Sequence, residues 1–372
     1  MNITECMLDK LCTKIHFDRS KYREYQYASK LSNFDDFFIH NGEKPSIAIM
    51  TSGENPDIYS GFRSALYRMS ANFHSGQIID LGMIKGGHTG VTEVCDVLLQ
   101  KGICSIVINC DDQLPTALLR AYSNRQKPVH LSVAESKIDY NWMNEEQEKG
   151  LLDNLMLYYP KLLTRLNFLG YQSYFVDEKV LELLRLVHFE AHRIGVLRNN
   201  ISETEPILRD SDIFAMNLSS IAYTDAPGTI SANPNGFSAA ESCQIVRYAA
   251  MSDRLSCMGF YGFAPEADTK NLTGLLLAQL VWYAVQGYFQ RKYDDPLENG
   301  DFTRYEVYLS GDSVPIAFFK SHKSERWWFY VAPNQSSESL DPEGLISCSY
   351  EDYLKACEGD VPDRLLNALG RE

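Results

Sequence analysis

Short apolar runs alternate along the chain with segments whose apolar positions recur every three or four residues. Ser46-Ile47-Ala48-Ile49-Met50 ends in Thr51-Ser52-Gly53, a strand running into a loop. Over 61–69 the apolar residues Phe62, Leu66, Tyr67 and Met69 keep helical spacing. A strand at 77–82, a helix at 91–99 and a strand at 103–110 follow, the last apolar enough to be buried on both faces. The alternation continues with a helix at 114–122 and a strand at 129–133. It resumes with a strand at 213–218, a helix at 238–250 and a strand near 258–263. This pitch predicts βαβ units, hence a three-layer αβα domain with a mainly parallel sheet. Residues 141–165 read as an acidic helical stretch, with Glu145, Glu146 and Glu148. The most apolar segment, 272–289, is broken by Gly274, Gln279, Gln286 and Gly287, so it reads as a buried helix rather than a membrane span. From about 296 the pattern changes to strand-like pieces at 303–309, 315–319 and 327–331. The chain thus divides into a lead-in (1–45), an α/β domain (46–295) and a small C-terminal extension with strands (296–372).

Charge narrows the partners. Lys plus Arg minus Asp plus Glu is 35 − 49 = −14 over 372 residues, with an isoelectric point near 5.1. Such a surface repels phosphate backbones and anionic lipid, which argues against nucleic-acid and membrane binding. An aromatic content of 12% excludes a globally disordered chain. Nine cysteines, an odd number with no C-x-x-C pair, read as thiols of a reducing compartment. The start, Met1-Asn2-Ile3-Thr4-Glu5-Cys6, has no basic and apolar leader pattern, so the expected location is cytoplasmic.

Two histidine motifs read as structural. Lys85-Gly86-Gly87-His88-Thr89-Gly90 lacks any phosphate-loop spacing and fits a turn opening a helix. His188 and His192 would share a helix face, but Glu190 stands where an H-E-x-x-H site has none. The stronger pattern follows the strands. Asp111-Asp112 come after 103–110. Glu135, Lys137 and Asp139 come after 129–133 at two-residue spacing, which projects them to one side of an extended chain. Asn217 and Ser219 leave 213–218 in the same way, and Ala226-Pro227-Gly228 follows.

In this order the segments resemble the ureohydrolase (arginase) superfamily, nearest its formimidoylglutamase-like branch. Its G-G-D-H segment resembles Asn109-Cys110-Asp111-Asp112, and its D-A-H-x-D resembles Glu135-Ser136-Lys137-Ile138-Asp139. Its D-x-D resembles Asn217-Leu218-Ser219, and the segment bearing its substrate-binding acid resembles Phe260-Tyr261-Gly262-Phe263. The resemblance spans roughly 46–295 and implies an arginase-like fold and self-association. In the family, two His and four Asp hold a pair of manganese ions that ionise a bridging water.

Carried over residue by residue, that centre is degenerate. The six ligand positions fall on Asp112, Glu135, Lys137, Asp139, Asn217 and Ser219, and the substrate acid on Gly262. Two ions need several anionic ligands, and an amide, a hydroxyl and an ammonium supply none. The expectation is a pseudoenzyme with no catalytic residue and no cofactor, binding a small molecule or a protein. Lys137 would act as an internal cation among Asp112, Glu135 and Asp139. One alternative is a hydrolase of linear amidine C–N bonds with a single manganese on Asp112, Glu135 and Asp139. Another is an assembly protein using the extension, where Trp327-Trp328-Phe329-Tyr330 either anchors a partner or packs the extra strands.

Overall fold

Nine strands form one sheet in the computed structural model, which describes residues 3–32, 45–71, 73–75, 77–125, 127–141, 149–297, 300–309, 315–331 and 344–369. They are β1 (Cys12–Thr13), β2 (Ile47–Ser52), β3 (Ile78–Ile84), β4 (Cys104–Asn109), β5 (Val129–Ala134), β6 (Leu163–Tyr171), β7 (Glu190–Arg193), β8 (Ile213–Asn217) and β9 (Cys257–Tyr261). Their order is β1-β3-β2-β4-β9-β8-β5-β6-β7. All neighbours run parallel except β1, which pairs antiparallel with β3. The lead-in therefore contributes an edge strand to the main sheet.

Helices cover both faces, so the central strands are apolar on both sides. On one face Ser60–Arg68, Ala239–Ala250 and Leu272–Tyr288 pack Phe62, Leu66, Val246, Leu277 and Val281 over Phe214 and Phe260. On the other, Gly87–Gln100, Leu114–Arg120, Leu151–Met156 and Glu178–Leu186 pack Val94, Leu98, Leu118, Leu152 and Leu184 over Val107 and Leu131. This is the three-layer αβα arrangement. Among the described residues no helix is long and apolar enough to cross a membrane.

Two local readings change. Of the helical stretch expected over 141–165, residues 142–148 lie outside the described residues. The helix occupies Leu151–Met156, and β6 already begins at Leu163. His188 and His192 do not share a helix. His188 sits beyond the end of Glu178–Leu186 with φ of 57°, and His192 lies in β7.

The extension forms a second, antiparallel sheet of β10 (Phe302–Val307), β11 (Ile316–Ser321), β12 (Trp327–Tyr330) and β13 (Leu345–Cys348). Alternation on β12 sends Trp327 and Phe329 to one cluster and Trp328 to another, and all three are buried. The tryptophans therefore pack the small sheet. Buried ionic groups tie it to the main domain. Arg209 donates to Trp327 O at 2.6 Å and lies over the Trp328 ring, while Glu205 takes Arg209 Nε and Arg326 Nε, each at 3.0 Å. Arg364 pairs with Glu203 at 2.8 Å and also with Asp352.

Candidate ligand site

Strands β4, β9, β8 and β5 are consecutive in the sheet, and their carboxyl ends open into one cavity of about 250 Å³. Such ends are where open α/β sheets bind ligands. The cavity is lined by Asp112, Glu135, Lys137, Asp139, Asn217, Ser219 and Gly262 together, so all seven positions singled out in the sequence converge. His88 stands apart from them. Gly86 and Gly87 take φ of 82° and 55° to turn into the helix Gly87–Gln100, and His88 Nε2 lies 2.8 Å from Asp111 Oδ2. Asp111 Oδ1 also accepts Gln113 N at 2.8 Å, which shapes the loop and leaves Asp112 on the cavity.

Glu135 is the floor. Its backbone N–H extends the β5–β6 pairing to Leu169 O at 3.0 Å, which fixes where the side chain leaves the strand. It is 8% exposed. Its Oε1 accepts Ser136 N at 2.9 Å and Ser219 Oγ at 3.3 Å; its Oε2 accepts Asn217 Nδ2 at 2.7 Å and Tyr261 OH at 3.1 Å. A carboxylate has about four lone-pair directions, and here four donors occupy them. Burial pushes the carboxyl up to about 7, against the downward pull of those hydrogen bonds.

The orientation of Asn217 follows from its neighbour. Its Oδ1 accepts the Ser219 backbone N–H at 2.9 Å, opening the turn Leu218–Ser220, so its Nδ2 must face Glu135. Asn217 and Ser219 thus both aim donor hydrogens into the site. Gly262 belongs to the same lock. It has φ of 76°, and a Cβ there would come within 2.6 Å of Asn217 Oδ1. An acid at 262 would have to displace Asn217.

Lys137 departs from the expected role. It lines the cavity, but its Nζ lies 5.3 Å from the centre of the Phe175 ring, and it forms no ion pair among the described residues. Glu135 is held by neutral donors instead. Asp112 and Asp139 are exposed at the mouth, and partial burial together with the charge of Asp111 raises Asp112 above the ordinary carboxylate range. The donor set does not fit a pair of divalent ions. One carboxylate of three is saturated, and Asn217, Ser219 and Lys137 supply two donors and a cation. Among the described residues no group of three or more His, Cys, Asp and Glu side chains could hold a metal ion.

The reading of the sequence missed Tyr261, Gln113, Asn141 and Lys149, which complete the floor and walls. Tyr261 ends an apolar strand, where an aromatic ring reads as core. Its place immediately before Gly262 was the available signal.

No protein-family model matches the chain, and no curated protein matches it by sequence. Solved structures do match. Formimidoylglutamase from Bacillus subtilis subsp. subtilis str. 168 superposes with a TM-score of 0.59 at 16% identity, covering 68% of this chain and 90% of that one. Trypanosoma cruzi formiminoglutamase, in a structure with Mn2+, gives 0.60 at 15%, covering 69% and 98%. Agmatine ureohydrolase of Thermoplasma volcanium gives 0.55 at 14%, covering 73% and 97%. The chain has the ureohydrolase fold. Formimidoylglutamases are among its structural neighbours.

Proposed function

We propose that this chain is a ureohydrolase-fold pseudoenzyme, a module that binds a small molecule or a protein at a cavity without a binuclear manganese centre. The observation that carries the proposal is the saturation of Glu135 by Asn217, Ser219, Tyr261 and the Ser136 N–H. A hydrolytic water at neutral pH needs metal to lower its pKa. Here three of the six positions that would hold the metal, Glu135, Asn217 and Ser219, hydrogen-bond to one another. The position expected to contact the substrate's formimino or guanidinium group is Gly262, which has no carboxylate.

The competing reading keeps one metal on Asp112, Glu135 and Asp139 and hydrolyses a linear amidine. It draws on the three acids sharing one cavity. It also requires Glu135 to give up its donors to a cation. The assembly reading finds less support, because Trp327 and Trp328 are 7% and 4% exposed. The test is to purify the chain from manganese-supplemented growth, measure bound metal, and assay amidine substrates for ammonia, formamide or urea. The proposal expects substoichiometric metal and no turnover. Stoichiometric metal together with turnover would overturn it.

A further inference from the structure

The lead-in and the end of the helix Leu272–Tyr288 line a second cavity, of about 180 Å³, which shares no lining residue with the one at the strand ends. The helix contributes a single face, because Trp282, Val285, Gln286, Phe289 and Gln290 follow one another at helical spacing. The lead-in brings Tyr27, whose backbone N–H is fixed to Met69 O at 2.9 Å, and the loop before β3 brings Phe73. Rings meet rings there. Phe73 stands edge-on to Tyr27 with centroids 4.7 Å apart and stacks on Phe289 at 6.5 Å. Trp282 offers only its ring, because its Nε1 already donates to Ser70 O at 2.7 Å. Gln286 and Gln290, half-buried, form the polar edge, and Gln290 Oε1 is taken by Arg247 at 2.6 Å. Among the described residues none that lines the cavity is charged.

One group is out of place in this wall. Tyr27 is 1% exposed, and its buried hydroxyl has no hydrogen-bond partner among the described residues. Burial pushes the phenol well up, so it stays a neutral donor. A phenylalanine would fill the same space without the cost of a desolvated hydroxyl. Water is a poor partner for it, since a buried water needs roughly two to four polar contacts.

We infer that this cavity binds a small neutral aromatic molecule, its ring held among Phe73, Trp282 and Phe289 and its carbonyl or pyridine-type nitrogen accepting from Tyr27 OH. Volume sets the size. An apolar protein cavity of about 150 Å³ takes up benzene, so this one holds a single ring with one small substituent. The walls set the shape, because aromatic faces and edges attract a flat ring in offset or edge-to-face contact. The lack of charge excludes ions, which would lose their water and find no partner. Tyr27 sets the polar group, since the ligand supplies the acceptor that the chain does not.

The test is a ligand-observed NMR titration of the full chain with three probes of similar size, benzamide, toluene and benzoate. It is repeated on Tyr27→Phe and on Gln286→Trp, which places an indole at the cavity's half-buried edge. Thermal melts check that both variants are folded. Benzamide and toluene should bind the parent chain, and benzoate should bind at least about tenfold more weakly than benzamide. Tyr27→Phe should weaken benzamide roughly five- to tenfold and leave toluene unchanged, the worth of one neutral hydrogen bond. Gln286→Trp should abolish the binding of both. Failure of benzamide to bind the parent chain overturns the inference, and so does benzoate binding as tightly as benzamide. Binding that survives Gln286→Trp also overturns it, by placing the ligand elsewhere. An equal response of benzamide and toluene to Tyr27→Phe removes the role assigned to the hydroxyl, and that comparison decides alone if Gln286→Trp does not fold.

Discussion

Replacing Glu135 by Gln tests the chemistry of the site through pH. In the folded chain burial raises this carboxyl from 4.5 to about 7. In the unfolded chain it titrates near its ordinary value. Between those values the folded state binds more protons, so the stability contributed by Glu135 is fully present below about 4.5 and lost as pH rises through about 7. The full difference is roughly 3 kcal/mol, at about 1.4 kcal/mol per pKa unit. Acidic conditions bring the chain to its isoelectric point near 5.1, so the usable window is narrower. Integrating the linkage relation from about pH 6 to pH 8.5 leaves roughly 1.4 kcal/mol. The amide introduced by Glu135→Gln does not titrate. It would aim an N–H at groups that are already donors, a cost of about 1–3 kcal/mol that does not vary with pH. The assay is urea unfolding of parent and variant in the presence of a chelator across that window. The parent's advantage over E135Q should shrink by about 1–2 kcal/mol from the acidic to the alkaline end. A flat difference would refute the buried, neutral-donor environment. A flat difference is also what a carboxylate paired with a cation would give, because its depressed folded value and its unfolded value near 4.5 both lie below the window.

Other perturbations probe the same network and its surroundings. Asn217→Asp with Ser219→Asp removes two donors to Glu135 and adds two acids beside it, which should cost about 2–5 kcal/mol in chelator at alkaline pH. Added manganese should recover part of that loss and leave the parent's melting temperature unchanged, as read by thermal shift. Gly262→Ala forces an L residue to φ of 76° and crowds Asn217 Oδ1, and urea unfolding should show a loss of about 1–3 kcal/mol. Arg209→Ala leaves Glu205 without its nearest cation and removes the donor to Trp327 O. It should destabilise the chain by about 3–5 kcal/mol and expose the small sheet to limited proteolysis.

What was legible in the sequence follows burial. Strands β4, β5, β8 and β9 are buried on both faces and read as apolar runs, and the candidate residues were found because each follows one of those runs. Strand β6 was hidden because Thr164, Arg165 and Asn167 interrupt it near the edge of the sheet. Strand β7 is four partly exposed residues at the edge itself, where neither face demands apolar side chains. The arrangement inside the site was out of reach for a different reason. Asn217 and Glu135 are 82 residues apart, and only the adjacency of β5 and β8 brings amide and carboxylate together. Lys137 was misjudged because sequence proximity to Glu135 and Asp139 suggested pairing. Beyond the last strand residue the chain instead turns the ammonium toward Phe175.

Diffraction from crystals grown with manganese, recorded on both sides of the manganese absorption edge, addresses the central claim most directly. If Asn217 and Ser219 have exchanged metal binding for hydrogen bonds to Glu135, the anomalous map should be featureless between the ends of β4, β5, β8 and β9. Two strong peaks there, within bonding distance of Asp112, Glu135 and Asp139, would contradict the account.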